Sequence, residues 1–378
     1  MSVPDQVLVY APETEVLRYP PDCPFKTERA TATRRQLLQA GLLGSGPLQE
    51  VRPQPATRAE LERLHAPRYL DLLQAAAAGE LTAESLHVGL GGPDTPVFPH
   101  MWEYARWACG AALTAADLLL QGQARIAFNL HGGFHHAHAA RAGGFCYLND
   151  VALACERLVA AGRRVMYLDL DAHHGDGVQA FFYDRNDVLT VSLHESGKTL
   201  YPGTGFEDEL GEGPGYGYNV NVPLPAGTYD AAFLKAYFTI VAPLLRAYRP
   251  DVLVVELGMD ILAGDPLTHL LMTNNVVVEV ARHLRQTGLP LLVSGGGGYQ
   301  FEPTVRGWAL AWRTLAGQDC EDAWSLGLGG TMMSTLDWAG GWRDPERPVP
   351  ADLCAQVEPE LNRTLQRLQQ TVPLLQRA

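Results

Sequence analysis

Between residues 164 and 177 the sequence R-V-M-Y-L-D-L-D-A-H-H-G-D-G turns from an apolar run into a cluster of ionisable groups, and few folds can accommodate that change. Residues 165–168 are the kind of run that makes a buried strand. Asp169, Asp171 and His173 then alternate with Leu170 and Ala172. If the segment stays extended, the three polar side chains share one face, because strand side chains repeat every two residues. Two carboxylates and an imidazole aimed at one point are costly to bury without compensation. A divalent cation is the simplest compensation. A salt-bridged strand end beside the turn at Gly175 and Gly177 is the other.

The flanking sequence supplies a frame for such a strand. Residues 7–10 read as a first short strand, and the Pro-rich, polar stretch 11–35 as a structured loop. Helices are expected over 34–43, stopping at Gly44 or Gly46, over 67–78, with Pro67 in the first turn and Gly79 just past the end, and over 100–120, closed by Gly122. Strands at 124–130, 165–168, 188–194, 218–224, 252–257 and 291–294 are then interleaved with helices at 150–161, 229–248, 273–287 and 302–316. Alternation of this kind implies a mainly parallel sheet with helices on both faces. The 378 residues contain no repeat, linker or low-complexity segment, so residues 1–378 read as one α/β domain with a helical tail around 350–375.

Composition narrows the function classes. Hydrophobic residues make up 47% of the chain and charged residues 19%, which suits a large core and excludes a disordered polymer. Acids outnumber bases 42 to 29, for a net charge of −13. That balance argues against a nucleic-acid partner and would suit a cationic substrate. Cys23, Cys109, Cys146, Cys155, Cys320 and Cys354 include no C-x-x-C pair and read as reduced thiols of a cytoplasmic protein. The start, M-S-V-P-D-Q-V-L-V-Y, has neither a basic region nor a long apolar one, so no signal peptide is expected. No run reaches membrane-spanning length.

In open α/β sheets, ligands bind beyond the carboxyl ends of the strands. The segments that follow the expected strands there are H-G-G-F-H-H at 131–136, D-L-D-A-H-H-G-D at 169–176, G-M-D at 258–260 and G-G-G-G-Y at 295–299. His131, His135, His136, His138, His173, His174 and His194, seven of the twelve histidines, fall between 131 and 194, which favours one site over scattered core imidazoles. Asp171, His173 and Asp260 make a metal set of three protein ligands with an open position, as catalytic zinc requires. Two carboxylates and one imidazole form a hard set by zinc standards, so ferrous iron or another divalent ion is also admissible. Beside a metal-bound water, one of His135 and His136 can act as general base and then general acid, with Asp169 and Asp176 as the carboxylates that set tautomer and charge. Tyr299, directly after four glycines, can place a phenol against a developing oxyanion, or it is an ordinary packed tyrosine.

The motifs H-G-G-F-H-H-A, G-G-F-C-Y-L-N-D, D-L-D-A-H-H-G-D-G-V, Y-P-G-T-G, G-M-D-I-L-A-G-D-P and G-G-G-G-Y, in this order, resemble those of the metal-dependent histone deacetylase family. The similarity runs over about 19–316, leaving a tail of about 320–378. It points most to the bacterial branch of acetoin-utilisation proteins and histone-deacetylase-like amidohydrolases. The resemblance implies the arginase/deacetylase fold, with a sheet of about eight strands. It implies zinc on Asp171, His173 and Asp260, His136 paired with Asp176 as base and acid, His135 paired with Asp169 as electrostatic partner, and Tyr299 polarising the substrate carbonyl. It further implies an acyl-lysine channel of Gly144, Phe145, Tyr201 and Leu267, a rim aspartate at Asp94 and an acetate-release cavity at Arg29. Asp169, Asp171, His173, Ser192 and Leu193 match a monovalent-cation site, usually potassium. The chain departs from the pattern at Tyr201, where many relatives have phenylalanine, at Leu267, where some have methionine, and at His131, which replaces a small or apolar residue.

The implied activity is hydrolysis of an acetylated amine, either acetyl-lysine in a protein, a longer acyl-lysine or an acetylated polyamine. Two other readings stay open. A two-manganese ureohydrolase shares a superficially similar D-A-H-H-G-D but leaves His135, His136 and Tyr299 without a role. A non-catalytic acyl-lysine binding protein would take up acetylated peptide without releasing acetate.

Overall fold

The computed structural model describes residues 5–44, 46–318 and 341–377. Its strands are β1 (Gln6–Val9), β2 (Leu48–Val51), β3 (Ile126–Asn129), β4 (Val165–Asp169), β5 (Val188–Glu195), β6 (Asn219–Leu224), β7 (Val252–Glu256) and β8 (Leu291–Ser294). They form one eight-stranded sheet in the order β2-β1-β3-β8-β7-β4-β5-β6, and every pairing is parallel. Both faces are covered, so the central strands β3, β4, β7 and β8 are buried along their whole length, as parallel sheets require. Along β4, Val165 and Tyr167 pack into one core while Met166 and Leu168 pack into the other.

The helices are α1 (Glu28–Gln39), α2 (Arg58–Leu61), α3 (Pro67–Ala77), α4 (Ala83–His87), α5 (Met101–Leu120), α6 (Asp150–Ala160), α7 (Asp176–Phe182), α8 (Asp230–Tyr248), α9 (Asn275–Gln286) and α10 (Phe301–Leu315), followed by a C-terminal helix at Ala351–Thr371. On one face α5 turns Ala111, Ala112, Ala115 and Ala116 towards Val7, Val9 and Val254, and these small side chains let helix and sheet approach closely. On the other face α8, α9, α10 and the C-terminal helix bury Tyr237, Val277, Trp312 and Leu361 against the sheet. Among the described residues no helix is long and apolar enough to cross a membrane. Cys23, Cys109, Cys146, Cys155 and Cys354 are free thiols, and Cys320 lies outside the described residues.

Seven strands and the long helices stand within a few residues of their expected positions. The short helices α2, α4 and α7 have no counterpart among the expected elements, and two further differences have a physical reason. β2 is an edge strand with only Leu48 buried and Gln49 and Glu50 exposed, so it carries no apolar run. Helix α1 starts at Glu28, inside the stretch expected as loop, because its buried face carries Arg29, Thr31 and Thr33, and polar groups on that face mask the helical period.

The fold decides where the chemistry collects. β3, β4, β7 and β8 carry the motif segments after their ends, and in space they are consecutive, β3-β8-β7-β4. Segments far apart in the chain therefore open side by side at one end of the sheet. Trp312 anchors the layer beneath. It is fully buried, its Nε1–H donates to the Leu42 carbonyl at 2.8 Å, and its ring lies 5.0 Å from that of Phe128. Trp312→Ala is expected to lower stability by about 3–5 kcal/mol, read as a lower urea midpoint at unchanged slope.

Candidate active site

Beyond the end of β4, Asp171 and His173 meet Asp260 from the segment after β7, and their ligand atoms all lie within 4.8 Å of one another. His173 Nδ1 is 3.2 Å from Asp171 Oδ1 and 2.9 Å from Asp260 Oδ2. Backbone donors hold the remaining oxygens: Gly297 N–H to Asp171 Oδ2 at 2.6 Å and Ala172 N–H to Asp260 Oδ1 at 3.0 Å. Gly297 is there because backbone must come this close. A Cβ at that position would stand 2.0 Å from Asp260 Oδ2. Burial opposes a charge on His173, but hydrogen bonds to Asp171 and Asp260 outweigh it and raise its pKa to about 10. Burial and then the charge of Asp171 push the Asp260 carboxyl up. Two carboxylates and one imidazole thus crowd a single point that calls for positive charge. A divalent cation fits that donor set, in place of the proton His173 otherwise shares.

Asp169 does not join this point. The strand ends at Asp169, so the two-residue alternation stops there, and its carboxylate serves a second group instead. Its Oδ1 accepts the Asp171 N–H at 3.1 Å. Its Oδ2 accepts from the Tyr167 hydroxyl at 2.7 Å and faces His135 Nδ1 at 2.9 Å. Glu256 stands beside Asp169 in the β4–β7 register, with Oε2 accepting from Tyr167 at 3.1 Å. Its Oε1, buried and otherwise without a hydrogen-bond partner, is 3.3 Å from His135 Nδ1. The sequence reading passed over Glu256. The signal was an acid between Val255 and Leu257 in an otherwise apolar strand.

The paired imidazoles sit above these acids. His135 Nε2 and His136 Nε2 are 3.1 Å apart, and His136 Nδ1 is 2.7 Å from Asp176 Oδ1. Carboxylates only accept, so both Nδ1 atoms carry hydrogen. Burial alone would deprotonate His135, but the charges of Glu256 and Asp169 hold its pKa well above the ordinary value. Burial, then the charges of Asp169 and Asp171, push the Glu256 carboxyl up, against the pull of the charged His135. Burial, then the charge on His135, bring His136 down to about 4. His136 is therefore neutral, with Nε2 as its basic nitrogen. Asn149 and Asp150 shape this loop. Asn149 caps α6 through Ala152 N–H, and its amide donates to the carbonyls of His135 and Ala137 at 3.2 and 2.9 Å. Asp150 accepts the N–H groups of Gly133 and Phe134. Both residues lie in the quoted G-G-F-C-Y-L-N-D motif, but nothing in that string announced their role.

The remaining expected residues gather around the same centre. The Tyr299 ring is 6.3 Å from that of His173 and 5.8 Å from that of Phe145. Burial and the nearby Asp260 and Asp171 charges keep its phenol un-ionised. Tyr201 sets its ring edge-on to His136 at 5.1 Å. Asp94 Oδ2 accepts the Gly144 N–H at 3.0 Å. Asp265, another residue the sequence reading did not single out, accepts the Leu267 N–H at 2.9 Å and the Tyr299 N–H at 2.7 Å. Arg29 is buried below, donating to the carbonyls of Gly298 and Gly296 at 2.6 and 3.0 Å between the rings of Phe25 and Trp308. Ser192 is the register partner of Asp169, with Leu193 next along β5. His131, the departure noted above, is a buried imidazole held by the Thr14 hydroxyl at 3.1 Å and lowered by burial to about 4.

Glu256→Gln removes one of the two acids that hold the His135 proton. The titration of His135, followed by imidazole ¹⁵N shifts, is expected to move to lower pH and that of His136 to higher pH. An unmoved His135 titration would dismiss the role of Glu256.

Comparisons with known proteins agree with this geometry. Residues 23–315 match the family model described as the histone deacetylase domain. The chain is 42% identical over 324 residues to the acetoin utilization protein AcuC of Bacillus subtilis, covering 83% of each chain. It is 36% identical over 343 residues to AcuC of Staphylococcus aureus, covering 89% of this chain and 85% of that one. The crystal structure of a histone deacetylase homologue from Aquifex aeolicus superposes with a TM-score of 0.84 at 31% identity, over 97% of this chain and all of that one.

Proposed function

The chain belongs to the histone deacetylase family, and from that membership and the site geometry we propose that it is a zinc-dependent deacylase. It would hydrolyse the amide of acetyl-lysine, or of a related acylated amine, to free amine and acetate. The observation that carries this reading is the meeting of three elements at one strand end: a buried ligand triad, a neutral imidazole backed by a charged one, and an un-ionised phenol.

Asp171, His173 and Asp260 would hold the ion. A divalent cation there supplies a polarised carbonyl and an acidified water. His136 takes the proton of the attacking water on Nε2, the nitrogen left basic by the Asp176 contact, and returns it to the leaving amine. His135, charged and locked to Asp169, keeps His136 from protonating too early. Tyr299 donates its hydroxyl hydrogen to the carbonyl oxygen as negative charge develops there. Phe145 and Tyr201 flank an approach that suits the neutral, aliphatic acyl-lysine stem. Asp94 holds the substrate backbone at the rim, and acetate leaves past Arg29. Asp169, Asp171, His173, Ser192 and Leu193 would hold a monovalent cation, potassium by family resemblance.

His135, Asp169 and Glu256 also form a group that could hold a metal, which bears on the two-manganese alternative. The two groups share no residue, so neither offers a side chain that would bridge a metal pair about 3.5–4 Å apart. We therefore read the second group as the proton-holding pair described above.

One transition-metal ion per chain is expected by elemental analysis; two manganese ions would favour the ureohydrolase. Tyr299→Phe is expected to keep that metal while acetate release falls roughly 10²–10³-fold, the loss typical of one oxyanion donor. Near-normal turnover in the variant would refute the assigned role.

A further inference from the structure

On the solvent side of the paired imidazoles lies an open cleft of about 650 Å³, lined in part by Leu86, Asp94, Arg141, Asp176 and Tyr201. Tyr201 also belongs to the channel and Asp94 to the rim inferred above, so a substrate threaded through that channel would bring its neighbouring atoms into the cleft. The acids of the lining are already engaged. Asp176 gives one oxygen to His136 at 2.7 Å and the other to His138 at 3.1 Å. Asp94 takes the Gly144 N–H on its side chain and the Phe145 N–H on its carbonyl. Arg141 is different: it is exposed, and its guanidinium makes no hydrogen bond or ion pair among the described residues.

The place of Arg141 is set by backbone. Its carbonyl accepts the His138 N–H at 2.9 Å, and the next residue, Ala142, donates to the Val88 carbonyl at 2.9 Å. That contact requires Gly89, with φ +84°. A Cβ there would stand 2.4 Å from the Ala142 carbonyl oxygen and 3.4 Å from Arg141 Cγ. The arginine stem thus begins packed over Gly89 and projects its charge into the cleft. Leu86 and Tyr201, 55% and 47% exposed, add apolar wall, which strengthens a charge pair formed between them. In a protein of net charge −13, this is a local positive point at the mouth of the site.

We propose that the cleft is the subsite for the residue next to the acyl-lysine and that Arg141 selects a carboxylate there. The inference rests on the deacylase reading and adds a substrate class to it: acyl-lysines with an acidic neighbour, in preference to acetylated polyamines, whose remaining amines Arg141 repels. The planar guanidinium can take a carboxylate through two parallel N–H donors.

The test uses the full-length, metal-loaded protein and acetyl-lysine peptides of one length, differing only in Asp, Asn or Lys beside the acetyl-lysine. The order of kcat/KM is expected to be Asp, Asn, Lys, with Asp over Asn by roughly 2- to 5-fold, as for a partly exposed ion pair. The ratio should shrink as salt rises, and Arg141→Glu should reverse the order of the Asp and Lys peptides. A parallel pair, Nε-acetyl-lysine with its α-carboxylate free or amidated, separates a chain-end carboxylate from a side-chain one. Preference in either arm supports the subsite. Equal kcat/KM for all peptides, an Arg141→Glu variant that keeps the wild-type order, or faster turnover of N-acetylputrescine than of every peptide overturns it. Absence of turnover on every substrate overturns the deacylase reading itself.

Discussion

Asp171 and Asp260 are drawn together in a fully buried space, and an apolar interior does not tolerate two carboxylates that close without positive charge between them. Everything around the site answers that demand. The imidazole of His173 supplies a third ligand atom, and backbone N–H groups from Ala172 and Gly297 take the oxygens that face away. The glycine run after β8 exists at this point because only backbone without a side chain can approach the two acids so closely. A divalent cation would complete the arrangement in place of the proton that His173 shares with the two acids, with the backbone N–H groups still facing their other oxygens. The fold and the demand for positive charge are therefore one constraint seen from two sides.

The same logic, one layer deeper, produces the asymmetry of the two imidazoles. The parallel register sets Asp169 against Glu256, and that pair also requires a positive charge. His135 provides it and is held protonated. His136, equally buried but facing only the shared carboxylate of Asp176, then lies next to a cation and is held neutral. Two adjacent residues of one type acquire opposite charge states because the strands beneath them differ in what they deliver. The resulting neutral base, beside the candidate metal ligands, suits the amide hydrolysis proposed above.

Much of this could be read from the chain because the chemistry is carried by strand ends, where short spacing and position in the sheet coincide. Asp171, His173 and Asp260 follow two apolar runs directly, and the runs themselves mark their place. The residues that escaped notice act across the fold. Glu256 matters through its lateral partner Asp169, 87 positions earlier in sequence, and no local pattern reveals a register. Asp150 and Asn149 act by accepting and donating to the backbone of the His135–His136 loop, a role indistinguishable in sequence from a helix cap. Helix α1 was obscured for the opposite reason. Arg29, Thr31 and Thr33 point inward, Arg29 to the glycine run of the site, Thr31 to Tyr10 and Thr33 to the helix's own backbone, and a polar interior face looks like a loop to a periodicity argument.

The segment after β7 shows why channel and chemistry are mechanically linked. Asp265 accepts the N–H of Leu267 with one oxygen and the N–H of Tyr299 with the other. Three residues on, the Thr268 hydroxyl donates to the carbonyl of Asp260 at 2.6 Å. One short loop is thus fastened at once to the expected channel wall, to the phenol and to a candidate metal ligand. A displacement of Leu267 by a bulkier acyl chain would be transmitted through Asp265 to the backbone that aims Tyr299. On the proposed deacylase reading, selection at the channel wall would act on the orientation of the phenol as well as on binding, and a poorly fitting acyl group would lose turnover in addition to affinity. The Arg141 side chain has no such fastening among the described residues, so recognition of a neighbouring residue could vary at that position while the Asp176 contact to His136 is kept.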